Sequence, residues 1–253
     1  MPTQSKPITS FPHEFSSLLK SAVWSARSSG TPIAGHRDRL RWFPLALRPA
    51  EAVAGLALLE RAMTPHLRRV DAPIDPALIK RLKKNYTEAL PKTIRNSSAS
   101  LNTKGSLTWE AARRIGLVQM LTSKSLQQFA AAVTGFTLLE GPSLQIIRYS
   151  AGDYVGPHND HHPENENIRD GYVDLQITLT DPGVARQNLL YEAGDGYFNH
   201  LRNVGIQSGV SVSMLPFWHQ VTPLEAKPAH PEAHRWLLLV SFDIDHKAKK
   251  RGK

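Results

Sequence analysis

Residues 172–180 read YVDLQITLT, and the stretch alternates along its whole length. Val173, Leu175, Ile177 and Leu179 fall on one side, and Tyr172, Asp174, Gln176 and Thr178 on the other. In an extended chain successive side chains leave opposite faces. This segment is therefore a strand with an apolar core on one face and a polar interior or solvent on the other. Residues 144–149, 188–191, 210–215 and 236–242 are further short runs rich in Val, Ile, Leu, Thr and aromatics. Glycines and prolines punctuate the gaps, at Gly152, Gly156, Pro182, Gly183, Gly194, Gly196, Gly205 and Pro223. Strands this short and this regularly interrupted imply an antiparallel sandwich or barrel.

The chain before this region reads as helical. Residues 49–70 carry Ala, Leu and Met at helical spacing. Asp75-Pro76 has the form of an N-cap and first helical residue, opening a helix to about residue 90 with Leu78, Leu82 and Tyr86 on one face. Another helix is expected from Thr108 to just before Ser123, and one more over residues 123–133, closed by Gly135. Residues 97–106, SSASLNTKGS, are small and polar and read as a flexible loop or lid. The expected fold class is α+β, a single domain in three stretches. About 1–139 is mainly helical, about 140–245 forms the strand core with the helices on one side, and 246–253 is a basic tail.

Hydrophobic residues make up 41% of the 253 and charged residues 21%, an ordinary globular composition. No run approaches the roughly 18 apolar residues that a membrane span requires, so no membrane partner is expected. The first residues lack the charged-then-apolar layout of a secretory leader, and the cytoplasm is the expected compartment. There is no cysteine, which excludes disulfides, thiolate metal sites and a thiol nucleophile. The net charge of +9 leaves an acidic protein or a nucleic acid open as a partner. No nucleic-acid-binding motif accompanies the charge, so a solvated basic surface is the plainer reading.

Chemistry concentrates in residues 147–162, IRYSAGDYVGPHNDHH. His158 and Asp160 are two apart, so on an extended segment both leave one face, where an imidazole nitrogen and a carboxylate oxygen can take adjacent positions around a divalent metal. A third donor must come from elsewhere. His219, in Phe217-Trp-His-Gln-Val-Thr-Pro223 at the end of a strand, is the obvious candidate. Two histidines and one carboxylate leave about three coordination positions open, which suits non-haem Fe(II) and dioxygen. A dicarboxylate co-substrate would need a cation for its far end. Arg235 heads the last apolar strand and can offer a two-pronged contact. Tyr149 can add a phenolic hydrogen bond, and Gln176 and Thr178 share the polar face of their strand.

The order Tyr149, Gly152, Gly156, His158-x-Asp160, His219-x-Val221-x-Pro223, Arg235 resembles the prolyl-4-hydroxylase-like branch of the Fe(II)/2-oxoglutarate-dependent dioxygenases. The resemblance covers roughly residues 140–245. It implies a double-stranded β-helix (jelly roll) core behind supporting helices. It implies Fe(II) held by His158, Asp160 and His219, 2-oxoglutarate held by Arg235 with Tyr149, and dioxygen as oxidant. The retained Asp160 favours hydroxylation over halogenation, on the C–H bond of a small molecule or an amino-acid residue. Arg235 lies sixteen positions after His219, farther than is usual in the family, and residues 225–234 account for the distance as a turn.

Rivals remain. His161 and His162 directly follow the pair and are expected in a loop, as bystanders or substrate contacts. His200, His230 and His234 are alternative distal donors. Asp153, Asp174 and Glu192 carry no spacing that separates them from exposed strand and turn residues. A cupin-like metal-dependent isomerase or hydrolase, with Asp160, His162 and Glu164 on the metal, is one competing reading. A non-enzymatic binder of an anionic partner is the other.

Overall fold

The computed structural model describes residues 33, 39–44, 46–47, 49–73, 77, 80, 93–160, 171–193, 197–198, 200–205 and 207–245. The elements in chain order are β1 (Leu40–Pro44), α1 (Pro49–Met63), β2 (Arg68–Ala72), β3 (Ile94–Ser100), α2 (Leu107–Arg114), α3 (Leu117–Leu121) and α4 (Lys124–Thr134). Then come β4 (Ser143–Tyr149), β5 (Tyr154–His158), β6 (Tyr172–Thr180), β7 (Val184–Arg186), β8 (Asn188–Tyr191) and β9 (His200–Asn203). The last four are β10 (Gly209–Leu215), β11 (His219–Val221), β12 (Glu225–Ala226) and β13 (Arg235–Asp243).

Eleven strands form one antiparallel sheet in the order β1-β10-β6-β13-β4-β3-β5-β11-β8-β9, with β2 added to β3. The sheet curls so that β5, β11, β8 and β9 face β10, β6, β13 and β4, the arrangement of a jelly roll. The alternation of β6 decides which side is which. Val173, Leu175, Ile177 and Leu179 join the main apolar core, against α1 and α4. Tyr172, Asp174, Gln176 and Thr178 line the cavity between the two walls. β13 repeats the pattern, with Trp236, Leu238, Val240 and Phe242 in the core and Arg235, Leu237, Leu239 and Ser241 in the cavity. Each large core side chain contributes about 1.5–3 kcal/mol by burial, which fixes the strand register.

The helix ends follow local chemistry. Ser123 caps α4 by accepting from the Leu126 amide at 3.3 Å, and Gly135, at φ 78°, ends it by donating to the Ala131 carbonyl. The single helix expected from Thr108 is two, because Gly116 takes the left-handed conformation at φ 77° and turns the chain between α2 and α3. The helix expected over residues 49–70 stops at Met63, and residues 68–72 are β2 instead. The expected helix at residues 75–90 falls, apart from Ala77 and Lys80, outside the described residues, as do His161, His162, Glu164 and the basic tail.

Residues 1–139, read from the sequence as mainly helical, also supply three strands, β1, β2 and β3, to the same sheet as the later strands. The reading of residues 97–106 as a loop holds for 101–106 but needs correction before them. Ser97–Ser100 pair with Arg148–Gln145 of β4 in regular register. This strand looks like a loop because its inner face is polar: Asn96 and Ser98 line the cavity, where an apolar residue would remove hydrogen-bonding capacity.

Candidate metal centre and the cavity around it

His158 closes β5 and His219 opens β11, and the two pair directly across the ladder. Their ring centroids stand 4.1 Å apart. The His158 Nδ1–H donates to the Gly156 carbonyl at 2.7 Å, and the His219 Nδ1–H to the Phe217 carbonyl at 2.9 Å. A carbonyl only accepts, so each ring keeps its Nδ1 proton and turns Nε2 inward. Asp160 brings its Oδ2 to 3.3 Å from His158 Nε2 and 3.6 Å from His219 Nε2. The three donor atoms lie within 4.8 Å of one another.

The route to this geometry differs from the expected one. Asp160 does not share a strand face with His158, because β5 has already ended and Asp160 has φ 51°. Aspartate is among the few residues that tolerate that left-handed conformation, and here it folds the carboxylate back over the two imidazoles. His219 likewise begins a strand where it was expected to end one.

The donor set fits a divalent metal. Donors about 2.1 Å from one ion and at right angles to each other stand about 3 Å apart, close to the two spacings seen. Two imidazoles oriented through Nδ1 and one carboxylate on one side leave the opposite side open. The rival histidines are elsewhere. His200 stacks on Tyr191, with centroids 5.1 Å apart. His234 Nε2 lies 2.8 Å from Glu60 Oε1, and His230 is an exposed turn residue.

The triad opens on a cavity of about 420 Å³, and Arg235, Tyr149, Thr178 and Gln176 line it as well. Arg235 is 2% exposed. Its Nε donates to Gln187 Oε1 at 2.6 Å and its Nη1 to Thr178 Oγ1 at 3.4 Å, and its guanidinium sits 4.6 Å from the Tyr149 ring centroid. Among the described residues no carboxylate pairs with it. Burial lowers its pKa to about 10, with Tyr149 opposing the fall, so it is cationic at neutral pH. Burial raises the Tyr149 hydroxyl, against Arg235, which lowers it. That hydroxyl is therefore a donor at neutral pH. Gln176 faces the cavity from the middle of β6 and makes no contact with Arg235 in this structure.

Two supports were not visible in the sequence. Gln187, immediately before β8, is fully buried and reaches across from the opposite wall to hold Arg235, while its Nε2 donates to the Asp153 and Thr222 carbonyls at 3.2 and 3.1 Å. Asn96 is 4% exposed beside Tyr149. Asp153 is not the exposed turn residue its spacing implied. It is completely buried, accepts two hydrogen bonds from Arg69 at 2.7 and 2.6 Å and one from the Ser150 amide, and so fixes the turn that launches β5. Asp174 is also buried and accepts from Ser241 Oγ at 2.6 Å.

No protein-family model matches the sequence, and no curated protein matches it either. Solved structures do match. The "Oxidoreductase, 2OG-Fe(II) oxygenase family" of Burkholderia pseudomallei is 14% identical, with 81% of this chain and 85% of that one covered at a TM-score of 0.51. The α-ketoglutarate-dependent epimerase SnoN of nogalamycin biosynthesis is 14% identical over 88% of this chain and 84% of its own, at 0.52. The carbocyclase SnoK of the same biosynthesis gives 14%, 82%, 80% and 0.51. The fold is thus the one these non-haem iron, α-ketoglutarate-dependent oxygenases adopt, a double-stranded β-helix flanked by helices. Within it stands a His-Asp-His group of the kind that binds a metal ion.

Proposed function

We propose that this chain is an Fe(II)- and 2-oxoglutarate-dependent dioxygenase that hydroxylates an unactivated C–H bond of a small molecule or an amino-acid residue. The observation that carries the reading is the pairing of two features in one cavity: an inward-facing His-Asp-His group, and a buried guanidinium with no carboxylate of its own. The likeness in fold to α-ketoglutarate-dependent oxygenases supports it. The rival reading of a metal-dependent isomerase or hydrolase assigns no anion to Arg235, whose side-chain acceptors among the described residues, Gln187 and Thr178, are both neutral.

His158, Asp160 and His219 would hold the iron, and the open side would take the 2-oxo acid end of the co-substrate and dioxygen. Iron bound there supplies the oxidising power that side chains lack, as 2-oxoglutarate is converted to succinate and carbon dioxide. The remaining tasks fall to the chain. Arg235 grips the far carboxylate, Tyr149 donates its hydroxyl to the same group, and Gln187 with Thr178 keeps the guanidinium fork aimed. Val155, Val221 and Leu237 wall the cavity with apolar surface that excludes water.

Nothing observed supports a nucleic-acid or acidic-protein partner. Four arginines are engaged within the fold, in Arg69–Asp153, Arg148–Glu60, Arg186–Glu225 and Arg113–Glu110 pairs. Among the described residues no helix is long and apolar enough to cross a membrane. The test is succinate formation from 2-oxoglutarate by iron-loaded protein. Wild type forms it, and Asp160→Ala does not. Undiminished succinate from Asp160→Ala would sink the assignment of the donors.

A further inference from the structure

A second arginine faces the same cavity. Arg202 lies on β9 directly opposite Leu189 of β8, and both side chains line the space that Arg235 and the His-Asp-His group also line. Its Nε is closed off from solvent and makes no hydrogen bond. Among the described residues its guanidinium joins no ion pair, although Arg69, Arg95, Arg113, Arg148 and Arg186 all do. The neighbouring Asn203 is engaged at the turn after β9, where it accepts from the Gly205 amide at 3.0 Å. Arg202 is not so engaged.

A buried N–H without an acceptor is costly wherever it stands, and one on a cation more so. The group that would satisfy it is an anion entering the cavity. Resting on the function proposed above, 2-oxoglutarate accounts for two carboxylates, one at the open side of the donor triad and one at Arg235. Arg202 stands on the wall opposite Arg235, two residue pairs along the ladder from His219 and Tyr191. A third anionic group must come from the second reactant. We infer that Arg202 binds the carboxylate of the primary substrate, and that this substrate is a small carboxylic acid. The cavity's size lies at the small-molecule end of binding sites, roughly 300–1,000 Å³. Ser98, Gln145, Gln176 and Ser211 line it with hydrogen-bonding groups suited to a polar molecule. Arg202 would fix which carbon faces the open side of the metal by anchoring the acid end of the substrate.

The test uses full-length protein loaded with Fe(II) without oxygen, in two calorimetric titrations. The first adds 2-oxoglutarate to wild type, Arg202→Gln and Arg235→Gln. Arg235→Gln weakens binding strongly and Arg202→Gln changes it less than about threefold. The second adds a panel of free L-amino acids and their amides to the 2-oxoglutarate complex. At least one acid binds, its amide binds at least about tenfold more weakly, and Arg202→Gln brings the acid down to the level of the amide. Arg202→Lys keeps the charge and retains a preference for the acid. Three results would overturn the inference: acid and amide binding equally, no acid binding, or Arg202→Gln losing 2-oxoglutarate as severely as Arg235→Gln. Failure of 2-oxoglutarate to bind wild type would instead strike the proposed function itself.

Discussion

Arg235 shows how much a single side chain can say about function. Its guanidinium is almost wholly buried, stacked on Tyr149 and held by two neutral acceptors, which supports the proposal that it receives an anion. Arg235→Gln therefore weakens 2-oxoglutarate binding at least about thirtyfold, the loss that follows from removing one partner of a buried charged pair. Calorimetry on the iron-loaded protein measures it. His158, Asp160, His219 and Arg235 were legible because their residue types carry specific chemistry and stand in a telling order. Gln187, Asn96 and Arg202 were not. All three stand around the cavity, and no local spacing encodes what faces what across it.

Elements deliver these side chains, and their junctions can be tested. Gly205 follows β9 and packs on Gln187: a Cβ there would stand 2.9 Å from the Gln187 Cβ and still closer to its backbone nitrogen. Gly205→Ala thus displaces the residue that holds Arg235. It raises the Kd for 2-oxoglutarate several-fold and destabilises the protein by about 1–3 kcal/mol, read by titration and by denaturant unfolding. Glu60 of α1 ties the helix to the sheet, accepting from Arg148 Nε at 2.7 Å and Trp236 Nε1 at 2.6 Å beside His234. Burial alone would raise its carboxyl, but the nearby His234 and the hydrogen bonds from Arg148 and Trp236 outweigh burial and hold the pKa at about 2, against an ordinary 4.5. Its stabilisation is complete above pH 4.5 and disappears as pH falls toward 2. Glu60→Gln should cost on the order of 2–3 kcal/mol at neutral pH and flatten the acid limb of the stability curve. An unchanged acid limb would refute this.

At the same scale, β6 was legible as a strand by its strict alternation and β13 as a short run of Leu, Val and aromatic residues. β3 was not, since its serines face a polar cavity and mimic a loop. β5 ends and β11 begins at a histidine of the His-Asp-His group, and both are too short to carry a clear strand signal.

At the scale of the molecule, the described residues are organised around one curled eleven-stranded sheet whose two walls meet at the cavity. The proposed metal donors stand on β5 and β11 or just beyond, on one wall, and Arg235 stands on β13, on the other. 2-Oxoglutarate bridging iron and Arg235 would therefore join the walls. Occupancy at a hundred times Kd adds about 2.7 kcal/mol to stability. Thermal unfolding should accordingly shift upward with 2-oxoglutarate when Fe(II) is present and remain unmoved when it is chelated. An antiparallel sandwich or barrel was legible from the rhythm of the short strands after residue 140 and the jelly roll from the family resemblance, whereas the contribution of β1, β2 and β3 to the same sheet was hidden by their distance in sequence from their partners. The most direct test of the central claim is an anaerobic titration of the protein with 2-oxoglutarate, with and without Fe(II). One molecule should bind per chain, only when iron is present. Binding that ignores iron, or no binding at all, would contradict the account.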